Sequence, residues 1–145
     1  MDWIGIDLDG CLAQWPKDAT VQTVCTIGAP IPEMVSFVRE LIASGVTVKI
    51  FTARVGPATD EECWSASDKR CPTLWDWQEW QTQLIQVWCQ EHLGCVLPIT
   101  ATKDFHMIML YDDRCKQVIT NTGKTLEELV GPGMIKALAH TAEFK

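Results

Sequence analysis

Four short stretches of this chain carry residue types that can do chemistry: Asp7-Leu8-Asp9-Gly10, Thr52-Ala53-Arg54, Lys103 and Asp112-Asp113. Carboxylates drawn from the first and last of these offer hard oxygen ligands, a donor set that suits magnesium and not zinc. A cation of that kind draws an anionic nucleophile and an anionic substrate together, which is what phosphoryl transfer requires. Taken singly, each stretch also has a plainer reading. Asp9-Gly10 reads equally as a turn, Asp112-Asp113-Arg114 as a salt-bridged loop, Thr52 as an ordinary strand residue and Arg54 as a surface charge. The elements that must position these residues therefore decide how they are read together.

Trp3 to Leu8 is apolar and β-favouring and stops at Asp9-Gly10, the pattern of a buried strand running into a tight turn. Val21 to Val24 and Cys25 to Ile27 can form a short hairpin that arches over its end. Pro32 opens a segment with Met34, Phe37, Val38, Leu41 and Ile42 at helical spacing, closed by Gly45. Val46 to Phe51 follows as a β-branched strand. Val55 to Thr73 has loop composition. Thr73 and Asp76 then resemble a capping box, and Trp77, Trp80, Leu84, Val87, Trp88 and Glu91 fall on one helical side up to Gly94. Cys95-Val96-Leu97 is read as a third strand, Met107 to Tyr111 as a fourth and Val118-Ile119-Thr120 as a fifth. Leu126 to Val130 and Met134 to Phe144 are read as closing helical turns. Alternating strands and helices predict an α/β fold with a mostly parallel sheet flanked by helices, in which ligands bind at the carboxyl ends of the strands. The polar stretches fall at those ends, and Lys103 lies on the loop before the fourth strand.

The chain has 145 residues, 47% of them hydrophobic and 21% charged, which suits one domain over 1–145 able to fold without staples. Seven cysteines without a Cys-x-x-Cys pair argue against a disulfide framework and a zinc site. The formal net charge of -7 disfavours nucleic acid as a partner. No apolar run is long enough to cross a bilayer, and the start of the chain lacks a signal-peptide pattern, so the expectation is a cytoplasmic protein with no membrane partner.

In order along the chain, Ile6-Asp7-Leu8-Asp9-Gly10, Thr52, Lys103 and Tyr111-Asp112-Asp113 closely resemble the four motifs of the haloacid dehalogenase superfamily of phosphohydrolases, over most of the chain. The resemblance implies that superfamily's Rossmann-like core and a magnesium-dependent phosphatase. It implies Asp7 as nucleophile forming an aspartyl-phosphate, and Asp9 as general acid and base. It further implies Asp7 and Asp112 as magnesium ligands through their carboxylates, Asp113 as another ligand or as a support to the ligands, and Asp9 adding its backbone carbonyl. Thr52 would bond a phosphate oxygen, with Gly10, Ala53 and Arg54 lining the same phosphate position. Lys103 would neutralise Asp7 and the transferring group, with Lys116 a more distant candidate. Cys11 stands where the superfamily more often has Thr or Val. Asp9 matches its phosphatase branch and not the dehalogenases.

Of the two intervals that carry a cap domain in this superfamily, the first is accounted for here by the hairpin and a sheet-packing helix, and the second, Val55 to Thr73, is too short for a separate domain. A bare core with a small hairpin flap is therefore expected. Its open site suits a bulky phosphorylated substrate or a lid lent by a partner subunit, as in a homo-oligomer. Trp15, Trp64 and Trp75 lie in or beside the loops that would rim it. The expected substrates are a nucleotide, a phosphosugar or a nucleic-acid end, the last weakened by the acidic surface. A catalytically silent metal- and phosphate-binding module within an assembly is the rival expectation.

Overall fold

Ile4, Ile6, Val48 and Ile50 recur at every second position of two apolar segments, and period-two alternation sends them all to one face of a sheet. In the computed structural model, which describes residues 1–15, 26–57, 74–126 and 128, these segments are strands β1 (Trp3–Asp7) and β2 (Val48–Phe51). Strands β3 (Ile99–Thr100) and β4 (Met107–Tyr111) complete a sheet of order β3-β2-β1-β4 in which every pairing is parallel. This is an α/β fold.

Two helices supply the crossovers from β1 to β2 and from β2 to β3, and residues 101–106 connect β3 to β4 without one. Helix α1 (Pro32–Ala43) begins with proline in its first turn, where a missing N–H costs nothing, and carries Glu33 at the positive end of its dipole. It ends in a Schellman motif. Gly45 takes φ +78 and its N–H donates to Ile42 O, while Val46 N–H reaches back to Leu41 O. That geometry turns the chain directly into β2. Helix α2 (Leu74–Leu93) returns the chain from β2 to β3. The core joins Ile6, Leu8, Val48 and Ile50 of the sheet side to Val35 and Val38 of α1 and to Ile85, Trp88 and Cys89 of α2. Arg39 of α1 also donates to His92 O near the end of α2 at 2.7 Å.

Several expectations are corrected. The buried stripe of α2 runs through Trp77, Gln81, Ile85, Trp88, Cys89 and Leu93, while Val87 is 67% exposed and Glu91 is exposed. The seam passes through a glutamine, which apolar counting ignores. The third strand is Ile99–Thr100 and not Cys95-Val96-Leu97, because Gly94 and Pro98 bracket the earlier segment and Ile50 N–H donates to Pro98 O at 2.8 Å. Among the described residues Val118 forms an isolated antiparallel bridge to Thr125 and no strand. The hairpin over Val21 to Ile27 falls outside the described residues except for Thr26 and Ile27, which form no strand. The Thr73 cap, Trp64 and the closing helical turns, Leu126 and Glu128 apart, also lie outside them.

The chain groups into two compact units, Met1–Asp113 and Arg114–Lys145. The first holds the sheet and both helices. In the second, Ile119 N–H donates to Lys124 O and Leu126 N–H to Gln117 O around a turn with positive φ at Asn121 and Gly123. Among the described residues no helix is long and apolar enough to cross a membrane.

Candidate active site

Parallel pairing of Ile6 with Tyr111 brings the ends of β1 and β4 side by side. As a result the carboxylates of Asp7, Asp112 and Asp113 each place an oxygen within 4.8 Å of the other two. Three like charges at that range repel each other, and Asp7 and Asp112 are half-buried. Burial, then the Asp112 charge, then a hydrogen bond and the charge of Asp113 push the Asp7 carboxyl from 3.8 up to about 7, against a stabilising bond from the Leu8 backbone. A carboxylate cluster held at this cost in charge fits an oxygen-seeking divalent cation, which would relieve the repulsion.

The turn after β1 is wound on a single carbonyl, with Leu8 O accepting from Leu12 N–H at 3.0 Å and Ala13 N–H at 2.8 Å. Gly10 sits in it at φ +85, a backbone conformation that side chains disfavour. A Cβ there would stand 2.5 Å from Asp113 Oδ2. Glycine thus makes room for the third carboxylate. Its own N–H donates to Ala13 O at 2.8 Å.

Thr52, at the end of β2, is buried. Its Oγ accepts the Arg54 N–H at 3.2 Å and caps a 3₁₀ turn over Ala53–Val55. Among the described residues its hydroxyl proton is donated to no acceptor. Ala53 is exposed on that turn. Arg54 is 8% exposed and turns inward. Its Nε lies 2.6 Å from Asp9 Oδ2 and a terminal nitrogen 2.8 Å from Asp9 Oδ1, a two-point grip on the Asp9 carboxylate. Asp9 itself stands outside the group formed by Asp7, Asp112 and Asp113.

Lys103 is exposed on the connection from β3 to β4 and makes no hydrogen bond or ion pair with the described residues. Its neighbour Asp104 is tied to the opposite end of β1, accepting from Trp3 Nε1 at 2.7 Å and lying 3.6 Å from Lys49 Nζ. The Trp3 bond is the first cause that holds the Asp104 carboxyl below its ordinary value.

Sequence reasoning missed Gln81, which is fully buried on α2 and accepts from Arg54 at 3.1 Å. The one signal was a polar residue four positions from both Trp77 and Ile85, on their stripe. An open groove of about 480 Å³ is lined in part by Gly56, Gln78, Thr82, Thr100 and Thr102. Comparison with known protein families, with curated proteins and with solved structures finds no match.

Proposed function

We propose that this chain is a magnesium-dependent phosphomonoesterase of the haloacid dehalogenase superfamily, with Asp7 as nucleophile and Asp9 as general acid and base. The observation that carries this reading is the convergence of Asp7, Asp112 and Asp113 at the carboxyl ends of adjacent parallel strands. Thr52 ends the next strand, and parallel α/β sheets collect their ligands at that edge.

Asp7, Asp112 and Asp113 would hold Mg2+, which supplies the positive charge that lets a carboxylate approach a phosphate dianion. An Asp7 oxygen attacks phosphorus and the bond to the leaving oxygen breaks, with Asp9 giving that oxygen its proton. Water then attacks the aspartyl-phosphate and passes a proton to Asp9, and cleavage of the bond between phosphorus and the Asp7 oxygen frees phosphate. The Thr52 hydroxyl bonds a phosphate oxygen throughout. Asp7 pairs with Phe51 and Phe51 with Thr100, so Thr100 stands two strand spacings, about 10 Å, from Asp7. That distance suits a substrate whose phosphate sits at Asp7 and whose remainder enters the groove.

The test is hydrolysis of p-nitrophenyl phosphate with Mg2+ and with a chelator, in the wild type and in Asp7→Asn. Turnover should need the cation and vanish in the variant, and beryllium fluoride should be trapped on Asp7. Activity that survives either the chelator or Asp7→Asn rules out this mechanism. The exposed position of Lys103 favours a second reading, a module that binds metal and phosphate without turnover. In that case Mg2+ and inorganic phosphate bind, Asp7→Asn weakens both, and no substrate is consumed.

A further inference from the structure

Arg54 looks from the sequence like a phosphate-binding cation, but its surroundings assign its donors elsewhere. Nε and one terminal nitrogen hold both oxygens of Asp9, at 2.6 and 2.8 Å. The nitrogen that meets Asp9 Oδ1 also donates to Thr26 O at 2.9 Å. The other terminal nitrogen donates to Gln81 Oε1 at 3.1 Å. The Trp15 ring lies 6.0 Å from the guanidinium carbon, and the Arg54 backbone N–H is fixed on Thr52 Oγ. A planar fork held at this many points can approach a carboxylate in only one plane, which is how arginine sets direction as well as charge.

Building on the reading of Asp9 as the proton carrier, we propose that Arg54 is the positioning residue for Asp9: anchored by Gln81, Thr26 O and Thr52, it fixes the direction of the Asp9 carboxylate and does not itself bind the substrate phosphate. Asp9 follows a strand end and stands two residues beyond Asp7, on a turn whose backbone is set by Leu8 O and Gly10. That turn fixes its Cα, and the fork of Arg54 fixes its side chain. A side chain misdirected by an ångström can forfeit a large part of the proximity it supplies. Gln81 acts at one further remove, being fully buried on α2 where a bonded partner is needed and Arg54 provides it.

The test compares Arg54→Lys, which keeps the charge and loses the fork, with Arg54→Met, Gln81→Met, Asp9→Asn and the Arg54→Lys/Asp9→Asn double variant. Each is assayed with β-glycerophosphate, whose alkoxide leaving group needs a proton, and with p-nitrophenyl phosphate, whose phenolate does not. Circular dichroism establishes that each variant is folded. Should Arg54→Met not fold, Arg54→Lys and Gln81→Met carry the comparison.

Acid–base assistance is worth ~10²–10⁴-fold, so Arg54→Lys should lower kcat for β-glycerophosphate by about tenfold or more, and kcat for p-nitrophenyl phosphate much less. KM should be unchanged for both, and Gln81→Met should show a smaller loss with the same bias. In the Asp9→Asn background, Arg54→Lys should cost nothing further, since a group acting through Asp9 has nothing left to act on. A rise in KM shared by both substrates would instead make Arg54 a phosphate ligand. Equal kcat losses for the two substrates, or losses that add to those of Asp9→Asn, would reduce it to a structural residue. Either result overturns the proposal while leaving the phosphatase reading in place. A wild type inactive on both substrates overturns the two together.

Discussion

Metal-free protein should lose stability as the pH rises from 4 to 8, in the part of the curve that belongs to Asp7. An unfolded chain releases the Asp7 proton near the ordinary 3.8, whereas the folded chain holds it up to about 7. Between those values the folded state binds the extra proton. Its stabilising contribution is therefore complete below 3.8 and disappears as the pH climbs through 7. The interval between the two values is worth at most ~4 kcal/mol at ~1.4 kcal/mol per pH unit, and solvent reaching the half-buried carboxyl reduces this to on the order of 3 kcal/mol. For a domain of this size that corresponds to about 6–12 °C in Tm. Urea or thermal unfolding of chelator-treated wild type and Asp7→Asn, at steps between pH 4 and 8, isolates the effect as the difference between the two proteins. Asp7→Asn should gain on the wild type as the pH rises and be the more stable protein at pH 8. Added Mg2+ should restore the wild type there and leave the variant nearly unmoved. A wild-type-minus-variant difference that is flat across the range, or that grows in favour of the wild type, would refute the argument that burial and the neighbouring carboxylates dominate this site.

Three further outcomes test neighbouring parts of the structure. Asp112→Ala removes the largest charge acting on Asp7, so Mg2+ affinity by calorimetry should fall and the Asp7 carboxyl, followed by carbon-13 NMR without metal, should titrate below its wild-type value. Gly10→Ala places a Cβ 2.5 Å from Asp113 Oδ2 at a positive φ. It should cost ~1–3 kcal/mol in urea unfolding and weaken Mg2+ binding, and full Mg2+ affinity in that variant would remove Asp113 from the ligand set. Ile85→Ala should cost about 2–5 kcal/mol because the residue is fully buried, whereas Val87→Ala, two positions along α2, should stay within about 0.5 kcal/mol. Similar losses at the two positions would mean that the helix is rotated relative to this description.

Local physics made much of the fold legible in one dimension. Val48 to Phe51 and Met107 to Tyr111 announce themselves by β-branched and apolar runs, and the stretch from Pro32 to Gly45 by a helical period between a proline and a glycine that can each occupy only certain backbone positions. The placement of Asp7 and Asp112 at strand ends follows from the same apolar runs, each of which ends where its carboxylate begins. Strand pairing across a hundred residues, by contrast, brought Asp112 and Asp113 against Asp7, and no local pattern encodes which strands become neighbours. The same holds for the partner of Arg54. Its guanidinium reaches Asp9 and Gln81 through the packing of α2 on the turn after β2, so a residue that reads as a phosphate ligand in sequence is engaged with a carboxylate in space. Lys103 shows the converse. It is the single lysine between Thr100 and Phe105, yet its register relative to Asp112 depends on loop geometry, and the neighbouring Asp104 is tied to Trp3 and Lys49 by a long-range hydrogen bond and ion pair that only the folded chain assembles.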